Sequence, residues 1–79
     1  MTLATTEQEW ADRARKFVKA ELKRADVTYE ELAHRLEIHG LKETEASIAN
    51  KLRRGTFATT FFLATLAALG REGMRLEDL

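Results

Sequence analysis

Cysteine and proline are both absent from the 79 residues. The lack of cysteine excludes a disulfide framework and thiolate metal ligation, so stability rests on packing. There are only two histidines, His34 and His39. A metal site would need carboxylate help, and their five-residue separation puts them on different sides of a helix, so they read as unrelated surface residues. No apolar stretch approaches membrane-spanning length, and the start, MTLATTEQEW, lacks a basic segment followed by an apolar run. The expectation is a cytoplasmic protein with no membrane partner. Thirteen basic residues balance thirteen acidic ones, which argues against a strongly basic nucleic-acid coat. Enzyme hallmarks are missing too: no Ser/His/Asp set has a reason to converge, no glycine-rich phosphate loop is present, and no paired carboxylates fall in a predicted cleft. The chain reads as a non-enzyme that needs no cofactor.

What is present is helical patterning. A hydrophobic share of 44% suffices for one modest core, so residues 1–79 are expected to form a single all-α domain of four to five short helices. Thr6 with Glu9 has the capping-box spacing, and Trp10, Ala14, Phe17, Val18 and Leu22 recur at helical spacing, predicting a first helix from about Glu7 to Ala25 with Trp10 as an anchor at the core's edge. Charge is uneven along this segment. From Arg13 to Arg24 six basic residues face one acid, Glu21, leaving a local basic surface on a neutral chain.

Thr28 with Glu31 repeats the capping pattern, and Val27 and Leu32 are spaced as a hydrophobic staple. A second helix is predicted over Tyr29–His39, burying Leu32, Ala33 and Leu36 with Ile38 close by, exposing Tyr29 and Glu30, and stopping at Gly40. Thr44 caps a third helix over Glu45–Arg54, ended by Gly55. Thr56 is placed to cap a fourth, whose Phe57, Phe61, Phe62, Leu63, Leu66 and Leu69 make it nearly apolar all round. Such a helix belongs at the centre of the bundle or against a partner subunit. Met74, Leu76 and Leu79 end the chain in one helical turn at most.

The third helix carries the functional signal. Ile48 and Leu52 fall on one face, leaving Ser47, Asn50, Lys51, Arg53 and Arg54 for the other. Asn and Arg match adenine and guanine edges in the major groove, and Lys and Arg neutralise phosphates. The alternative is an ordinary surface helix whose terminal cations suit the helix dipole. Glu30 with Glu31, and Glu43 with Glu45, read as acids favoured at helix starts by the same dipole.

The order of parts resembles the lambda-repressor-like (Cro/C1, or XRE-type) helix-turn-helix domains. The likeness runs from about Phe17 to Leu79. Thr28, Glu31, Leu32 and Ala33 match the capped Glu-Leu-Ala run of the family's second helix, Ser47 and Ile48 the opening of its recognition helix, and Arg54 and Gly55 its close. The final RLEDL is similar to the family's Leu-Asp-Glu-Leu ending. The resemblance implies a helix-turn-helix bundle that binds double-stranded DNA, usually as a homodimer on paired half-sites, and a role in transcription regulation. The residues it points to are Ser47, Asn50, Lys51 and Arg54 near bases or adjoining phosphates, Arg53 toward phosphate, and Thr28, Tyr29 and Thr44 offering amides and hydroxyls to phosphate at helix starts.

The chain departs from that family in one dimension: Ala33 to Gly55 is several residues too long, with the excess around Glu37 to Glu43. A lengthened turn between helices two and three would shift the angle of the third. That feature, with the neutral charge, keeps open a second reading, a protein-interaction module of antitoxin-like or adaptor type without DNA binding. The run SIANKLRRGTF followed by FFLATLAALG also resembles an uncharacterised family of small bacterial proteins, the domain of unknown function numbered 6471.

Overall fold

Local capping sets where each helix begins. The Thr6 hydroxyl accepts the Glu9 amide at 3.1 Å and starts α1, Glu7–Ala25. The Thr28 hydroxyl accepts the Glu31 amide at 3.1 Å and starts α2, Tyr29–Ile38. Thr44 starts α3, Glu45–Arg54, in the same way. The computed structural model describes residues 3–79, and among them the regular elements are these three helices, α4 over Thr59–Ala68, and a closing 3-10 turn, Leu76–Asp78. The chain is thus a small all-α bundle.

Several local expectations need correction. Neither of the first two caps closes into a reciprocal box. The Glu9 carboxylate accepts from the Thr5 and Thr6 hydroxyls, and the Glu31 carboxylate accepts from Arg35. Helix α2 ends at Ile38, with His39 as its cap. Ile38 points outward and is 80% exposed, so it takes no part in the core, while Tyr29 is half-buried and packs against it. Trp10 is 36% exposed and sits at the edge of the core, sharing a hollow with Ala14, Phe57 and Phe62, its ring 6.0 Å from the Arg13 guanidinium. Thr56 does not cap α4; the N-cap is Ala58, without a side-chain hydrogen bond.

The staple between α1 and α2 forms as expected. Asp26 turns left-handed at φ 57°, the Val27 amide returns to the Leu22 carbonyl at 2.9 Å, and Val27 and Leu32 are both buried. Asp is among the few non-glycine residues that take this conformation at modest cost.

Burial is concentrated on α2 and α3 together with α1. Leu32, Leu36, Ile48, Leu52 and Val18 are fully buried, and each such aliphatic side chain contributes on the order of 1.5–3 kcal/mol by leaving water. α3 packs against both α1 and α2, and α4 packs on α2. α2 and α3 therefore share the centre of the bundle, each packed against two other helices. α4 lies at the flank, burying Phe61, Thr65 and Leu66 while Leu63 remains 58% exposed. Phe57 packs edge-on against Phe61, with ring centroids 5.4 Å apart, and closes the α3–α4 connection.

Two arginines fasten distant helix ends. Arg35 of α2 donates to the Ala68 carbonyl at 3.1 Å, and Arg15 of α1 reaches the Arg53 carbonyl at 3.5 Å. A third, Arg71, ties the terminal segment to α1: it donates to the Glu21 carboxylate at 3.1 Å, to Asp78 at 2.7 Å and to the Gly73 carbonyl at 2.8 Å, with its guanidinium over Phe17. Glu21 is buried and is also held by Arg24 at 2.8 Å. The bonds from Arg24 and then Arg71 outweigh burial and hold its carboxyl below the usual range.

Two outcomes follow from these contacts. Because the Glu21 carboxyl titrates lower in the folded chain than in the unfolded one, its contribution is complete above the usual carboxylate range and is lost as pH falls through the folded-state value. The Tm difference between the parent and Glu21→Gln should be widest above about pH 4.5 and should close on acidification, as followed by circular dichroism. At Gly55, φ is +74° and an added Cβ would lie 2.6 Å from the Ala11 carbonyl oxygen, whereas at Gly40 nothing lies within 4 Å. Gly40→Ala should cost about 1–2 kcal/mol for the left-handed backbone, and Gly55→Ala a further ~1–3 kcal/mol for the clash, measured by urea denaturation.

Candidate nucleic-acid interface

The polar side of α3 is built from its first turn. The Thr44 hydroxyl accepts the Ser47 amide at 3.0 Å, and the Ser47 hydroxyl accepts the Thr44 amide at 2.8 Å, a reciprocal cap. Ser47 also donates to the Glu43 carboxylate at 2.6 Å. The same carboxylate oxygen takes the Lys51 ammonium at 3.0 Å, and that ammonium lies 5.5 Å from the centre of the Phe61 ring. The side chains of Glu43 and Lys51 are only 11% and 26% exposed. Ser47 and Lys51 are thus engaged within the fold, both through Glu43.

The remaining residues of this face stand outward. Asn50, Arg53 and Arg54 are exposed, and Arg53 donates to the Asn50 side-chain oxygen at 3.0 Å. That bond uses one acceptor and leaves the Asn50 amide donors and most of the Arg53 fork available. Arg54 has no carboxylate within 4.0 Å among the described residues. At the helix starts, Thr28 and Thr44 spend their hydroxyls on caps, and Tyr29 leans on the core. Asn50, Arg53 and Arg54 therefore form one group, Ser47 and Lys51 a second gathered by Glu43, and Thr28 and Tyr29 sit apart on α2.

On α2 and the connector after it, a shallow hollow is bordered by Thr28, Glu30, Glu31, His34, Glu37 and Glu43. Of its acids, Glu31 is paired with Arg35 and Glu43 with Lys51. Among the described residues no three His, Asp or Glu side chains are grouped to hold a metal ion, and no helix is long and apolar enough to cross a membrane.

Sequence reasoning missed two parts of this arrangement. Glu43 reads as a connector acid, yet it organises two of the polar positions; the i, i+4 spacing to Ser47 was the available signal. Arg15 lies against the end of α3 from 38 positions away, and no local pattern announces such a contact.

Fold and surface together define a small all-α bundle whose third helix turns a polar, partly cationic face outward. Within that class, the chain belongs to the family described as domain of unknown function (DUF6471), which matches residues 10–74. No curated protein and no solved structure matches the chain.

The cap and ion pair at the start of α3 are open to direct measurement. Thr44→Ala should cost about 1 kcal/mol, the usual value of a lost N-cap. A double-mutant cycle on Glu43 and Lys51 should return a coupling of about 1 kcal/mol, at the upper end for exposed pairs, because both side chains are largely covered.

Proposed function

We propose that this protein is a sequence-specific DNA-binding module of a transcriptional regulator, with α3 directed at the major groove. The observation that carries the reading is the division of α3: Ile48 and Leu52 are fully buried between α1 and α2, while Asn50, Arg53 and Arg54 are left exposed on the opposite side. A helix held rigidly on its apolar side, with Asn and Arg outward, has the side chains that form paired hydrogen bonds to adenine and guanine edges. The likeness to helix-turn-helix domains supports it, with α2 and α3 as the motif and residues 39–44 as its lengthened turn.

On this reading Asn50 and Arg54 approach base edges, Arg53 divides between base and phosphate, and Thr28, Tyr29 and Thr44 border the backbone. Ser47 and Lys51 act mainly by fixing α3, since Glu43 holds both. One bundle of this size covers a single half-site, so useful affinity calls for a homodimer on paired half-sites. The exposed Leu63 and Leu76 are the apolar groups available for that pairing.

One observation favours a second reading, a protein-interaction module on the same fold. Glu30 and Glu37 are exposed acids on α2, the helix packed against α3, and would repel phosphates that approach them. A stoichiometric protein partner that co-purifies with no nucleic acid, and that is lost on Asn50→Ala, is the result this reading requires.

Capture of sheared genomic DNA on the purified protein, followed by sequencing, should recover fragments sharing a motif and yield the half-site spacing. Arg54→Ala should weaken binding to that motif and lower the log–log salt slope by about 0.9 if it removes one phosphate contact, or leave the slope unchanged and relax one base position if it reads a base. Failure to retain any fragment at low salt would sink the DNA reading.

A further inference from the structure

A second feature of the surface involves no residue of α3. Trp10 of α1, Phe57 and Phe62, and Met74, Leu76 and Leu79 of the terminal segment border an open hollow of about 430 Å³, whose one polar side chain is Thr59. That size and a mainly apolar lining with few polar groups are typical of small-molecule sites. Trp10 remains 36% exposed and Leu76 60%, so apolar surface around the hollow is left in water. The wall formed by the terminal segment is held by Arg71, which bonds Gly73 and Asp78 on one side and Glu21 of α1 on the other.

A cation lies against the Trp10 ring that lines this hollow. The Arg13 guanidinium carbon is 6.0 Å from the ring centre. Its Nη1 is buried and makes no hydrogen bond, and no carboxylate lies within 4.0 Å of it among the described residues. Glu9, one turn earlier, accepts instead from the Thr5 and Thr6 hydroxyls. A covered guanidinium nitrogen without an acceptor is costly. The partner that satisfies it best is a carboxylate, through two parallel charge-assisted bonds. We infer that the hollow binds a small carboxylate with an apolar body. The body fills the space between Trp10, Phe62 and Leu76, and the carboxylate pairs with Arg13, whose fork turns about its last bonds to meet it. Apolar lining and charge complementarity carry the inference, and it stands apart from the use of α3.

Trp10 is the chain's single tryptophan, so its emission reports on the hollow directly. The whole chain is titrated with octanoate and with octanol, which has the same chain length and no charge, both below the concentrations at which they aggregate. Octanoate should move the Trp10 emission to shorter wavelength, saturably, and bind about tenfold more tightly than octanol, as expected for a charge-assisted bond. Arg13→Gln should remove that advantage and leave octanol unchanged. Leu76→Asn should weaken both ligands about fivefold through lost apolar contact, while Leu63→Asn, whose side chain does not border the hollow, should change neither. Positions 63 and 76 are exposed, and circular dichroism checks that each variant folds. The comparison of octanoate with octanol on the parent needs no variant, so it decides the matter whatever Arg13→Gln does to folding. Equal affinity for the two compounds, an octanoate affinity that survives Arg13→Gln in a folded variant, or the absence of a saturable response overturns the proposal. A parent that sediments as a dimer, and that Leu76→Asn converts to a monomer, overturns it as well, because a second copy then occupies the hollow.

Discussion

The burial of Ile48 and Leu52 between α1 and α2 is the constraint on which everything else depends. These two side chains sit one turn apart on α3, and locking them into the core fixes the rotation of that helix about its own axis. Rotation in turn decides which of its polar residues meet solvent. The close approach of Gly55 to Ala11 fixes the other variable, how far α3 slides along α1. A side chain at that position would push the helices apart and disturb both.

Around this wedge the fold uses guanidinium groups as long-range ties. Arg35 and Arg15 each reach the last turn of a helix other than their own, and Arg71 gathers Glu21, Asp78 and Gly73. Cations near a helix's carboxyl end also suit its dipole. In a chain this short the apolar core is small, so such ties do part of the work that a larger interior would do. They also explain how a chain with zero net charge has a structured surface: many of its charges are paired with one another.

That pairing changes how the polar residues of α3 divide. Lys51 and Ser47, which look in sequence like part of a reading face, are drawn to Glu43, while Asn50, Arg53 and Arg54 are left outward. The connection between α2 and α3 supplies Glu43, which ties itself to α3 through Ser47 and Lys51.

Helix starts and stops were legible in the sequence because they depend on groups within about four residues: Thr6, Thr28 and Thr44 accept amides three positions on, and Gly40 and Gly55 take the left-handed turn. The start of α4 was not, because Ala58 caps without a side chain and the surrounding packing of Phe57 on Phe61 sets the boundary. Nor was the place of α4 itself. Its all-round apolarity suggested the centre or a second face against a partner subunit, and within the chain it packs on α2, since a helix's composition does not say which neighbours reach it. The sequence by itself determined the all-α class, three of the four helix starts and the polar face of α3. Only the tertiary structure decided how α3 is seated against α1, because that depends on contacts such as Arg15 with Arg53, between residues far apart in the chain and adjacent only after α1 and α3 have packed.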